Sequence, residues 1–224
     1  MFVTGTDTGI GKTYVASMIA RDLVAAGHHV GVYKPVASGC RDQGETLVSD
    51  DALALWEAAG RPGTLEAVCP QRFAAPLAPH LAARVESRQV DAKLLRAGAD
   101  YWLDSSDVVI VEGAGGLLSP VTDEEYVADL AYDFGFRLVV VTANRLGTIH
   151  QTLATLVVAA TFREGLEVAG VVLNEPLPGP FDESATNNHE ELCRRCVPPV
   201  LTRVGWQSAD FAPRVDWWEL ARAR

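Results

Sequence analysis

Phe2-Val3-Thr4-Gly5-Thr6-Asp7-Thr8-Gly9-Ile10-Gly11-Lys12-Thr13 is the stretch on which the fold turns. It reads as a short apolar strand, a glycine-rich turn and a helix entered at Gly-Lys-Thr. That is the layout of a phosphate-binding loop. Backbone N–H groups curl round an anion and the helix N-terminus adds partial positive charge. Lys12 reaches the outer phosphates, and the Thr13 hydroxyl is suited to Mg²⁺. Residues 6–10, one more than the usual spacing, separate Gly5 from Gly11, so either the loop starts at Thr6 or it is a variant class.

Working outward, Val15, Met18, Ile19 and Leu23 recur at helical spacing and predict a helix from Lys12 to about Ala26, stopped by Gly27. Val30-Gly31-Val32-Tyr33 predicts a strand, and Pro35 ends its pairing, so Lys34 stands at its carboxyl end beside Ser38. Residues 42–49 read as a polar loop, and Ser49-Asp50-Asp51 as a capped helix start from which Asp51 could supply a metal carboxylate. Residues 69–79 read as a surface loop with a short strand at Arg72-Phe73, and Val90 to Leu103 as one helix.

Val108-Val109-Ile110-Val111 is an unbroken β-branched run of the kind found in buried parallel strands. It runs into Glu112, then Gly113-Ala114-Gly115-Gly116. An acid ending a central strand is placed to hold Mg²⁺, and the small residues let a ligand approach the backbone. Further on, the predicted elements are a helix from Glu124 to Phe134, a strand at Leu138 to Val141, and a helix capped by Thr148 and reaching Arg163. A strand from Val168 to Leu173 then leads to Asn174 and Glu175. A helix from Glu190 to Cys196, a strand from Val200 to Val204 and a helix from Asp216 to Arg224 follow.

Strands and helices alternate throughout. The expected fold is therefore a single P-loop NTPase-like α/β domain over residues 1–224, with a mainly parallel sheet and helices on both faces. Lys12, Thr13, Lys34, Asp51, Glu112 and Asn174 all fall at strand ends or helix starts and are expected to meet at one sheet edge. Two lysines, a hydroxyl and two carboxylates round a nucleotide make a phosphoryl-transfer site, with ATP or GTP and the acceptor both left open.

The net charge of −10 argues against general nucleic-acid binding. No apolar run approaches the roughly 20 residues of a membrane span. The first strand begins at Met1 or Phe2, so no signal peptide is expected and the expected location is cytoplasmic. Cys193-Arg-Arg-Cys196 has redox or zinc spacing but no second pair, and the four cysteines read as ordinary thiols.

Four segments taken together resemble the dethiobiotin synthetase family: Val3 through Thr13; Tyr33-Lys34-Pro35-Val36-Ala37-Ser38-Gly39; Ser49-Asp50-Asp51-Ala52-Leu53-Ala54-Leu55; and Val111-Glu112-Gly113-Ala114-Gly115-Gly116. Phe73-Ala74-Ala75-Pro76 and Ala78-Pro79-His80 add a weaker match. The resemblance implies an ATP-dependent ligase that joins CO₂ or bicarbonate to 7,8-diaminononanoate. The implied reaction would run through a carbamate and a carbamic-phosphoric anhydride, with release of ADP and phosphate.

On the matching positions the resemblance implies catalytic roles for Lys12 and Lys34, and Mg²⁺ held by Thr13, Asp51 and Glu112. Gly9, Ile10, Gly11 and Tyr14 would join Lys12 and Thr13 round the nucleotide. Gly113, Ala114 and Gly115 would flank it, Asn174 and Glu175 would meet its base, and Gly205 and Trp206 would cover it. Ser38, Gly115 and Gly116 would line the diamine. In the implied homodimer, the helix start at Thr148 and His150 would receive the substrate's tail carboxylate. Relatives often carry Glu where this chain has Gly9. The competing readings are a partitioning-type P-loop ATPase and a nucleotide-binding regulatory protein without catalysis.

Overall fold

Six strands, all parallel, form the sheet that carries the P-loop, in a computed structural model that describes residues 1–44, 46–179 and 183–222. In chain order the first half contains β1 (Phe2–Gly5), α1 (Lys12–Ala25), β2 (Val30–Tyr33), β3 (Val36–Ala37), β4 (Arg41–Asp42), β5 (Leu47–Val48), α2 (Asp50–Ala58), α3 (Leu65–Val68), β6 (Gln71–Arg72), α4 (Pro79–Val85), α5 (Ala92–Ala97) and α6 (Asp100–Ser105). The second half contains β7 (Val108–Gly116), α7 (Val127–Phe134), β8 (Leu138–Ala143), α8 (Thr148–Thr161), β9 (Val168–Asn174), α9 (Asn188–Arg195), β10 (Val200–Val204) and α10 (Trp217–Arg222).

The sheet order is β10-β9-β8-β1-β7-β2. From β1 the chain crosses to β2 at one edge, and every later crossover runs the other way. Right-handed crossovers in opposite directions place their helices on opposite faces. Accordingly α1 packs with α2 and α10 on one face, while α6 lies against β2 and β7, and α7 against β7, on the other. With both faces covered, Phe2, Val3, Ile110, Val111, Val140 and Val141 are wholly buried, which is why these strands read as continuous apolar runs. The direction reverses at β1, so the crevice beyond its carboxyl end is where such sheets bind ligands.

Several elements differ from the sequence reading, each for a visible reason. Residues 42–49 are not simply a loop: β4 pairs antiparallel with β5, and Arg41 clasps Asp50 at 2.6 Å across the base of the hairpin. The helix expected over Val90 to Leu103 is two, α5 and α6, broken at Gly98-Ala99. There the Tyr33 hydroxyl donates toward the carbonyls of Leu94 (3.0 Å) and Leu95 (3.1 Å). A Cβ on Gly98 would lie 2.3 Å from the Tyr33 oxygen, so the chain must pass this ring without a side chain.

The strand does not end at Glu112. β7 continues to Gly116 because β1 stays beside it, with Val3 opposite Glu112 and Gly5 opposite Gly116. Gly113 is required by close packing, since a Cβ would stand 2.8 Å from Val127. The next helix starts at Val127 rather than Glu124: Val121 takes the Glu125 carbonyl at 2.8 Å, and Pro120 bridges to Tyr126. Thr148 is the first residue of α8, not its cap; Gly147, at φ 93, is the cap, and α8 ends at Thr161. α9 runs Asn188–Arg195 and α10 Trp217–Arg222, so the expected extension of α10 to Arg224 lies partly outside the described residues.

Candidate active site

The P-loop follows from its glycines. Gly9 and Gly11 sit at φ 70 and φ 90, left-handed values that side chains resist. These turns bring the loop round to α1, whose cap residue Gly11 offers no side-chain acceptor and whose first turn holds no acid. The helix N-terminus is thus left to an external anion. Gly5 is also obligatory, because a Cβ there would meet Ile10 at 2.6 Å and the Lys12 side chain at 3.0 Å. The Lys12 ammonium donates to the Asp7 carbonyl at 2.8 Å, across the mouth of the loop.

Beside the loop lies a buried charge cluster. Lys34, 3% exposed, donates to Glu112 Oε1 at 2.6 Å and stands 3.2 Å from Asp51 Oδ2. The Thr13 hydroxyl donates to the same Glu112 oxygen at 2.9 Å. Burial alone would lower the Lys34 ammonium, but the Glu112 and Asp51 carboxylates outweigh it and hold Lys34 above its ordinary value. Lys12 goes the other way: burial lowers it, the Lys34 charge adds to that, and Glu112 only partly compensates. For Asp51, burial raises the carboxyl, yet the charge and hydrogen bond of Lys34 bring it below its ordinary value.

Glu112 Oε2 is buried and has no hydrogen-bond partner among the described residues. A carboxylate oxygen left without a donor in a buried site is costly unless a ligand or cation completes it. Together with the Thr13 hydroxyl and half-exposed Asp51, it is an all-oxygen donor set. Mg²⁺ favours such sets, taking one or two protein carboxylates alongside phosphate oxygens. The residues present fit that ion.

A cleft of about 730 Å³ opens over this cluster. Of the residues expected from the sequence it gathers Gly9, Gly11, Lys12, Thr13, Lys34, Ser38, Asp51, Glu112, Gly113, Ala114 and Gly115. Its far wall was not foreseen as a site: Pro76, Leu77 and Pro79 close it from the α4 side, and Ser119 from beyond β7. The weak motif spanning Phe73 to His80 was the signal for the first group. Ser119 had none, since it is recruited by accepting the Gly116 N–H at 2.9 Å.

Asn174, Tyr14, Gly205 and Trp206 lie outside this cleft, in a second group beside the loop. The Asn174 amide donates to the Ile10 carbonyl at 2.8 Å, and a Cβ on Gly11 would lie 2.2 Å from that amide nitrogen. Asn174 Oδ1 is buried without a partner among the described residues. The Tyr14 hydroxyl donates to the Ser208 carbonyl at 2.6 Å, and Glu175 lies 3.6 Å from Arg203 and within reach of the Asn144 amide.

Thr148 and His150 form a third group, at the start of α8. The Thr148 hydroxyl is wholly buried against Thr142 at 2.7 Å, and Thr142 also meets Thr6 (3.2 Å) and Thr152 (3.0 Å). The Thr148 backbone N–H donates to Arg145. Thr148 therefore ties the start of α8 to the end of β8 and to the turn between them, while His150 is exposed.

Comparison with known proteins shows the family through sequence relatives and the fold through a solved structure. The family model described as AAA domain matches residues 1–210. The chain is 43% identical over 215 residues to the ATP-dependent dethiobiotin synthetase BioD of Rhodopirellula baltica, covering 91% of this chain and 82% of that one. It is 44% identical over 215 residues to the protein of the same name from Anaeromyxobacter dehalogenans, covering 96% and 92%. In fold it is similar to a ParA family ATPase from Chlorobium tepidum, with a TM-score of 0.53 and 16% identity over 92% of this chain and 83% of that one. That likeness concerns the fold alone, and the sequence relatives decide between the two enzyme readings. The chain belongs to the ATP-dependent dethiobiotin synthetase family.

Proposed function

We propose that the chain closes the cyclic urea of dethiobiotin from 7,8-diaminononanoate, CO₂ and ATP, with Lys34 and Lys12 as its catalytic lysines. The observation that carries this is Lys34, buried and cationic between Glu112 and Asp51 at the floor of a cleft walled by the P-loop. A simple triphosphatase needs the P-loop lysine. A second fixed ammonium, at the cleft floor beside the loop, suits an anionic acceptor that must approach the γ-phosphate against its charge.

In this reading one amine of the diamine takes up CO₂ as a carbamate. A carbamate oxygen attacks the γ-phosphate, ADP leaves, and the second amine closes the ring and expels phosphate. Lys34 holds the carbamate and neutralises charge developing on the transferred group, and Lys12 exchanges the Asp7 carbonyl for phosphate oxygens. Thr13, Asp51 and Glu112 would hold Mg²⁺, which when bound neutralises phosphate charge and orients the chain of phosphates. Ser38 and the backbone at Gly115-Gly116 line the diamine, supported by Ser119, which pins the Gly116 N–H. Gly113 and Ala114 let the phosphates lie against β7.

Asn174, Glu175, Gly205 and Trp206 form the base slot. The unpartnered Asn174 Oδ1 supports an exocyclic amino group of the base, such as that of adenine, as its donor. The substrate tail carboxylate goes to the start of α8 of a second subunit, near His150. Leu146 and Val157, 79% and 61% exposed, support a second copy covering this face. Among the described residues no helix is long and apolar enough to cross a membrane, which is consistent with the proposed cytoplasmic location.

The test is phosphate release with ATP, Mg²⁺, bicarbonate and 7,8-diaminononanoate, each omitted in turn. Release is expected to require all four and to match dethiobiotin formed one for one. Release that ignores the diamine would move the assignment to the partitioning-type ATPase that the fold also resembles.

A further inference from the structure

We propose that Tyr14 is a positioning residue for the nucleoside end of ATP: its hydroxyl ties the 205–210 turn to the P-loop helix, and the tie acts on the base slot without acting on the phosphates. The inference rests on the reading of that slot given above, and it assigns Tyr14 a role different from direct contact with the nucleotide.

Tyr14 follows Thr13 directly, in the first turn of α1, and is half-buried. Its hydroxyl proton is committed to the Ser208 carbonyl at 2.6 Å, 194 positions away in sequence. The turn receiving that bond is internally braced but projects from the sheet. Ser208 donates its N–H to the Gly205 carbonyl at 3.1 Å, and the Ser208 hydroxyl bonds with Asp210. Gln207 sits at φ 53, a left-handed conformation for a residue with a side chain. The ends of the turn are held at the sheet edge, where Glu175 N–H reaches Val204 and Arg203 pairs with Ala212.

Three segments meet here. A Cβ on Gly11 would touch both Asn174 and Tyr14, and one on Gly205 would lie 3.8 Å from Glu175. The slot is therefore framed by the P-loop helix, the end of β9 and the 205–210 turn. The first two are joined by Asn174 on Ile10, and Tyr14 joins the first to the third. Trp206, 43% exposed, rides on the joined turn. Without the tether the turn keeps its own hydrogen bonds but loses its fixed distance to α1. The P-loop glycines and Lys12, which hold phosphates, are unaffected by that change.

The experiment is titration calorimetry of wild type and Tyr14→Phe with Mg²⁺, using ATP and inorganic tripolyphosphate as separate probes and no diamine. Phe keeps the ring and its packing, so the variant tests the hydroxyl. ATP binding is expected to weaken about fivefold, the size of one lost hydrogen bond, while tripolyphosphate binding stays within about twofold. In turnover the KM for ATP is expected to rise by the same factor, with kcat changed less than about twofold. Trp206→Ala supplies a second readout: its effect on ATP affinity is expected to shrink in the Tyr14→Phe background, because both act through one turn.

Equal losses for ATP and tripolyphosphate would overturn the proposal and place Tyr14 on the phosphates. Unchanged ATP binding would overturn it as well. Fully independent effects of the two substitutions would do the same. A wild-type protein that binds ATP no tighter than tripolyphosphate would instead sink the base slot itself, and the tether with it.

Discussion

Lys34 Nζ lies 2.6 Å from Glu112 Oε1, and both side chains are all but sealed from solvent. Lys34 directly follows β2 and Glu112 lies within the neighbouring β7, so the pair is set by strand register: Tyr33 stands opposite Val111. A buried ion pair contributes little net stability, but breaking it leaves an unpaired charge. Lys34→Ala is expected to destabilise the protein by about 3 kcal/mol in urea unfolding. Its kcat should drop by at least ~10²-fold while ATP affinity changes less than ~fivefold, since the ammonium acts on charge that develops during transfer. Matching losses in rate and affinity would mean that Lys34 merely holds ground-state nucleotide.

Glu112 has one oxygen shared by Lys34 and Thr13 and one without a partner. Glu112→Gln keeps the shape and removes the charge that the free oxygen would offer to Mg²⁺. The Mg²⁺ concentration giving half-maximal rate should rise by roughly tenfold or more, the cost of one carboxylate in an oxygen-donor site. Affinity for ADP measured in excess EDTA should be preserved. A variant with unaltered Mg²⁺ dependence would remove Glu112 from the metal site.

The two loop glycines should respond differently to the same change. Both have positive φ, but a Cβ on Gly9 meets nothing within 4 Å, whereas one on Gly11 strikes the Asn174 amide at 2.2 Å. Gly9→Ala is expected to cost about 1 kcal/mol of stability from backbone strain, with ATP binding retained. Gly11→Ala adds displacement of Asn174 from the Ile10 carbonyl, and ATP binding should fall by ~10-fold or more. Thermal melts and calorimetry on the pair separate strain from collision.

Alkaline pH tests the burial of Cys69. Burial pushes its thiol from 9.0 up to about 12. Between those values the unfolded chain has lost this proton and the folded chain still holds it, so stability must fall as pH rises. The slope contributed is at most ~1.4 kcal/mol per pH unit. Lys34, raised above 10.5 once its carboxylate partners outweigh burial, adds to the same decline at the upper end. Urea midpoints measured from pH 8.5 to 11 should therefore decrease, and less steeply in Cys69→Ala. An identical slope in that variant would exclude the thiol as a source. Exposed Cys193 should react quickly with a disulfide reagent in the native protein, while Cys40 and Cys69, both buried, should wait for unfolding.

How much was legible in the sequence depended on how local the cause was. Periodicity and glycines located α1 and β2 closely, because both elements are specified by residues within themselves. The α5–α6 break escaped, because its cause is the Tyr33 hydroxyl arriving from β2. Thr148 was misplaced as a cap for a similar reason: an exposed capping hydroxyl and one turned inward to Thr142 look alike until β8 and α8 are packed.

By itself, the sequence determined the P-loop, Lys34 at the end of one strand, Glu112 after the buried run Val108–Val111 of another, and the family. Each of these is a short run of residues whose chemistry and spacing are self-contained. Tertiary structure decided which oxygen of Glu112 is taken and which is left free, that Asn174 braces the loop through Ile10, and that Tyr14 reaches a turn 194 positions away. Those facts depend on strand order and register in a sheet whose neighbours are distant in sequence. A single chain records the residues on each strand end, and only the folded sheet brings the ends together.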